Sequence, residues 1–187
     1  LAVPVTSLFL GIRIPPAGTL PLPGMPVDTL GRAVMVLSAV PWLLAAGLLG
    51  PTPAILLAVF SGLLRTLFDT HTPFTPLEFA WLAAFFSFAI YQRYRTTFFR
   101  LLAQPFVTTA ILALIYPALF FINQVLLSAG ALANRLDYAF THIGEATLVV
   151  AIELMIAGTF AQVIAVMQPG LWGGQGAYQA SPAEKSL

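Results

Sequence analysis

Hydrophobic residues fall into five long stretches, separated by short polar or proline- and glycine-rich segments. The first stretch runs from about Ala33 to Leu49 and contains Pro41, which removes a backbone donor and predicts a kinked helix. Gly50-Pro51-Thr52-Pro53 then makes a turn, with Thr52 expected as N-cap and Pro53 as the first helical residue. The second stretch, Ala54 to Phe68, is short for a hydrocarbon core of roughly 30 Å. A capping box, Thr75-Pro76-Leu77-Glu78, opens the third, Pro76 to Tyr91. The fourth runs from about Pro105 to Ser128 through Pro117, and the fifth from about Ile143 to Met167. The pattern predicts an all-α integral membrane protein, a polytopic bundle of about five transmembrane helices within residues 31–170.

The flanks differ. Residues 1–30 are irregular: Val3 to Ile14 is apolar but short, and Pro15 to Pro26 is dense in proline and glycine. Irregular backbone cannot face lipid. This segment is therefore expected to be the end of a truncated span followed by a loop, the other solution being a re-entrant piece packed on the bundle. Residues 171–187 read as a cytoplasmic linker, where Ser181-Pro182-Ala183-Glu184 has the capping-box pattern of a further helix start. The expectation is the front part of a longer protein.

Composition agrees with lipid as the main solvent. Charged residues make up 8% of the 187 residues and hydrophobic ones 59%, with a mean hydropathy of +0.90. A soluble domain carries about 25% charged residues. A net charge of +1 without a long basic run excludes a nucleic-acid partner, and the absence of cysteine excludes disulfides and thiolate metal sites. No P-loop, dinucleotide fingerprint, nucleophile elbow or His-Glu-x-x-His motif occurs, so neither a cofactor nor an enzymatic activity is expected of this region.

Orientation rests on Gln92 to Gln104, which carries Arg93, Arg95 and Arg100. The positive-inside rule makes it cytoplasmic, in the inner membrane of a bacterial-type cell. The loop Asp69–Thr75 and the stretch Ala129–His142 then lie outside, and the C-terminus inside. Arg13 and Arg32, on the external side, run against this assignment.

Few polar groups lie within the apolar stretches. Glu153 is near the middle of the fifth, and Ala157, Ala161 and Ala165 follow it at four-residue spacing, so it should face the bundle interior. It is either a ligand contact, ion site or proton relay, or a hydrogen-bonded glutamate that locks two helices. Arg65 continues the small face of Ala54, Ala58, Ser61 and Gly62. It could meet an inward carboxylate or an anionic ligand; the plainer reading is snorkelling, or pairing with Asp69 one turn on. Asp69 and His71, with His142 and Glu145, make a weak candidate site for a metal or small solute. Asn123 and Gln124 can hydrogen-bond across helices. The candidate ligand residues are thus Glu153, Arg65, Asn123, Asp69 and His71, while Glu78 is assigned to its capping box.

The run Gly50-Pro51-Thr52-Pro53-Ala54-Ile55-Leu56-Leu57-Ala58-Val59-Phe60-Ser61-Gly62-Leu63-Leu64-Arg65 resembles an element of compact bacterial membrane domains. It is similar to the five-span sensor region of autolysis-type histidine kinases and to the substrate-binding subunits of energy-coupling-factor vitamin transporters. The tail, Gln179 to Leu187, resembles the linker before GAF, HAMP or kinase modules. The resemblance implies a membrane sensory domain that passes the state of a ligand or of the membrane to cytoplasmic output modules in cis, in a chain able to form a homodimer. A substrate-capturing transporter subunit and a structural subunit of a membrane assembly are the other readings. The lipid bilayer is a partner in all three.

Overall fold

The computed structural model describes residues 11–13, 33–70, 72–92, 94, 96–127 and 131–173. The N-terminal segment 14–32 and the tail from 174 on, with its capping box, lie outside the described residues, as do His71, Arg93 and Arg95.

Two short strands, β1 (Gly11–Arg13) and β2 (Ala33–Met35), pair antiparallel with Gly11 opposite Met35. Six helices follow among the described residues: α1 (Val40–Leu48), α2 (Pro51–Arg65), α3 (Thr75–Tyr91), α4 (Thr97–Leu102), α5 (Pro105–Leu127) and α6 (Leu132–Met167). A π-helical turn, Thr66–Thr70, extends α2. Three helical stretches, Pro51–Thr70, Pro105–Leu126 and Leu132–Met167, are long and apolar enough to cross a membrane; α3 is apolar and shorter. The chain is a helical membrane protein. Its outward faces carry large apolar side chains such as Leu56, Leu114, Leu126 and Val166.

The first expected span, Ala33 to Leu49, is not one helix. Its front part is the strand β2, buried at all three positions, and only Val40–Leu48 is helical. Nine residues at about 1.5 Å each reach about 13 Å, less than half of a hydrocarbon core of about 30 Å. Pro41 lies in the first turn and starts α1 instead of kinking a longer helix. Residues 33–35 instead form a strand edge packed against α6.

The start of α2 also differs from expectation. Gly50, at φ 108°, is the N-cap, and Pro51 takes the first helical position in place of Pro53. Only glycine enters this left-handed region cheaply, which lets the chain reverse tightly between α1 and α2. The third helix lacks its capping box: Phe74 is the N-cap, and the Thr75 hydroxyl bonds those of Thr70 and Thr72 at 2.7 and 2.8 Å. Residues 132–142, expected as part of an external loop, continue the last helix, which reaches 36 residues.

The core forms where α1, α2, α3, α5 and α6 meet. Trp42 is fully enclosed, edge-on to Phe79 and Phe86 with ring centroids 6.4 Å away in each case. Ala54, Ala58, Ser61, Gly62 and Arg65 form the buried face of α2, as the small-residue spacing predicts. Along α6, Ala157, Gly158 and Ala161 are buried, and α5 comes so close that a β-carbon at Gly158 would collide with the Thr109 side chain.

Candidate functional site

Five side chains and one strand edge converge where α6 passes α2. Ala146, Val150, Ala157 and Ala161 put one stripe of α6 into the interior, and Glu153 lies on that stripe, 1% exposed. Its Oε1 accepts the Met35 backbone N–H at 2.7 Å. Its Oε2 accepts Arg65 Nη1 at 2.6 Å and the Ser38 hydroxyl at 3.0 Å. Arg65, 2% exposed on the inner face of α2, uses Nη2 to reach the Ala33 carbonyl at 3.0 Å. The Ala33 N–H in turn donates to Asp69 Oδ1 at 3.2 Å, and Asp69 Oδ2 lies 3.5 Å from Arg65 Nε as an ion pair. The guanidinium carbon is 5.7 Å from the centre of the Phe79 ring, a cation–π distance.

The logic is that of a sheet edge completed by side chains. Alternate residues of a strand turn their backbone polar groups to the same edge. For β2 that edge carries the N–H and C=O of Ala33 and the N–H of Met35, and charged side chains of α2, its π-helical turn and α6 satisfy all three. Extended backbone among apolar helices is tolerated only where its polar groups find partners. The pair Arg65–Glu153 is therefore both an ion pair and the means of holding β2 in the bundle. Removing one partner of such a buried pair costs about 3–5 kcal/mol, because the other is left uncompensated.

A second polar cluster lies between α3 and α5. Glu78, expected to cap its own helix, instead accepts hydrogen bonds from Asn123 Nδ2 and, at 3.3 Å, from the Tyr116 hydroxyl.

Of the five candidate ligand residues, the structure brings Glu153, Arg65 and Asp69 together and puts Asn123 in the second cluster; His71 lies outside the described residues. His142 stacks on Tyr138 at 4.1 Å along α6, away from Asp69. Among the described residues no three His, Asp or Glu side chains are grouped to hold a metal ion. Sequence reasoning missed Ser38, Tyr116 and the backbone of Ala33 and Met35. For the backbone groups no residue-type signal exists.

A further contact lies past the end of α6. The chain turns back so that the Trp172 ring covers Gly47, and the Gly173 N–H donates to the Gly47 carbonyl at 2.9 Å. The last turn of α1 is thus fastened to the exit of α6. No family model matches the chain, and no curated protein or solved structure matches it.

Proposed function

We propose that this chain is the membrane-embedded sensory and anchoring domain of a multidomain signal-transduction protein of a bacterial-type inner membrane. In this reading α2, α3, α5 and α6 cross the bilayer, and the β2–α1 unit is a fifth membrane segment that enters without crossing as a helix. The basic segment 92–104 is cytoplasmic, so the π-helical turn after α2 faces outward. The strands β1 and β2 then lie towards the external side, and the C-terminal end of α6 reaches the cytoplasm.

One observation carries the proposal: the strand edge and Ser38 are bonded directly to Glu153, in the middle of α6. At about 1.5 Å per residue α6 is about 54 Å long, enough to project beyond the hydrocarbon core. Anything outside that shifts the β1–β2 hairpin changes the partners of Glu153, and hence which packing of α6 is favoured. That is a population shift between two arrangements, read at the cytoplasmic end of one helix.

The test is the full-length gene product, carrying Glu153→Gln or Ser38→Ala, assayed for the activity of the cytoplasmic modules that follow. The expected outcome is altered basal output per molecule, compared at matched membrane abundance because Glu153→Gln also weakens the Arg65 pair. Unchanged output in both variants, or a reading frame with no output module, contradicts the proposal. The substrate-capture reading has one observation in its favour, the break into strand and half-helix beside a charged pair, which is how some transporters build a site. Saturable small-solute binding lost in Arg65→Gln would select that reading.

A further inference from the structure

The connection between α3 and α5 is the most basic part of the sequence, and no acidic residue lies near it along the chain. Arg93, Arg95 and Arg100 fall within eight consecutive positions, and no Asp or Glu occurs from residue 79 to residue 136. Part of this connection is the short helix α4, and its orientation is pinned. Phe99 is turned inward, its ring 4.8 Å from that of Tyr94, while the Gln92 side chain donates to the Phe99 carbonyl and the Thr108 hydroxyl to that of Leu102. The opposite side is bare. Phe98 is 66% exposed and Leu101 49%, three residues apart on one face, with Arg100 and Gln104 exposed beside them.

We infer that α4 is a docking surface for anionic phospholipid, with Phe98 and Leu101 dipping into the acyl boundary and Arg100 on the headgroup phosphates, in a segment whose sequence adds the positive charge of Arg93 and Arg95. Position supports this choice of occupant. The helix lies between the ends of two apolar helices, Tyr91 and Pro105, at the level where a membrane helix meets the headgroups. Phe98 and Leu101 offer apolar surface there, and the exposed Arg100 beside them offers a charge, a combination that holds a short segment in that plane. Charge supports it as well: the arginines have no carboxylate near them in the sequence, and among the described residues Arg100 makes no ion pair. Arginine suits phosphate in particular, because its planar fork binds two oxygens at once. The inference goes beyond the sensory proposal and does not depend on it.

The natural chain has no cysteine, so a single introduced cysteine can carry a nitroxide label without interference. The full chain would be labelled at Leu101→Cys, or at Leu126→Cys as a lipid-facing control, and reconstituted into nanodiscs. The discs would contain phosphatidylcholine alone or mixed with phosphatidylglycerol. The expected result is a label at 101 immersed at the interface in the anionic discs and less so in the neutral ones. Raised salt should reverse the difference, and each arginine replaced by glutamine should weaken the anionic-lipid preference about five-fold. The label at 126 should read the same depth in every case, which shows that the variants are folded; salt titration of the natural arginines tests the same point without mutation. Equal immersion in both lipids would overturn the anionic preference. A label open to water in both would overturn lipid docking and leave the surface to an acidic protein.

Discussion

Among single residues, Glu153 and Arg65 hold the polar interior together. From the sequence, the burial of Glu153 was legible, because alanines at four-residue spacing mark the inward stripe of a membrane helix. The Asp69 partner of Arg65 was legible too, being one turn away. That Arg65 could meet an inward carboxylate was legible as well, but that the carboxylate is Glu153 was not, since 88 positions separate the two. The pairing has a measurable consequence. Arg65→Met and Glu153→Leu should each lower stability in detergent by about 3–5 kcal/mol, since the first strips the buried Glu153 of its cation and the second leaves Arg65 with only Asp69, at 3.5 Å. The double variant should recover only part of the loss. It removes both charges, but Asp69 is left without its cation, and the Met35 N–H and the Ala33 carbonyl lose their partners, at about 1–3 kcal/mol for each unsatisfied group. Thermal unfolding of the four proteins gives the cycle. Strictly additive losses would show that the two side chains do not interact.

At the scale of elements, the helices α2, α5 and α6 announced themselves because a long apolar run in lipid has few alternatives to helix. The segment Ala33 to Leu49 is just as apolar, and there the same inference failed. A strand buried on both sides does not alternate polar and apolar positions, so Ala33–Met35 carries no period that separates it from a helix. Pro41 fitted two arrangements, an interior kink or a helix start, and the sequence did not choose between them. Glu78 likewise fitted a local cap, yet its carboxylate reaches across to α5. The strand assignment is open to test through the backbone. Met35→Pro removes the N–H that Glu153 accepts, whereas Met35→Leu keeps it and nearly keeps the volume. The proline variant should be destabilised about as strongly as a variant lacking the Glu153 carboxylate, and the leucine variant by less than about 1.5 kcal/mol. Chemical denaturation of the two would decide; equal tolerance would place Met35 outside any hydrogen-bonded strand edge.

At the scale of the whole molecule, the polar interior is concentrated where elements distant in sequence meet, and it ties an extended hairpin to the longest helix. Lipid supplies no hydrophobic drive for helix association, so close packing and buried polar contacts carry more of the specificity. The small faces of α2 and α6 give the close packing. The Glu153 cluster gives the contacts, and the Trp172 turn gives α6 a second hold on α1. A helix gripped in this way at mid-length and at its exit can respond to movement of the strand pair through the bond between β2 and Glu153. The most direct measurement is hydrogen exchange at the Met35 amide, followed by NMR on the 20.0 kDa chain in nanodiscs. The amide should be strongly protected, and its protection should fall in Glu153→Ala while amides within α5 stay protected. A Met35 amide that exchanges freely in the natural sequence, or one whose protection ignores Glu153→Ala, would contradict the bond between β2 and Glu153.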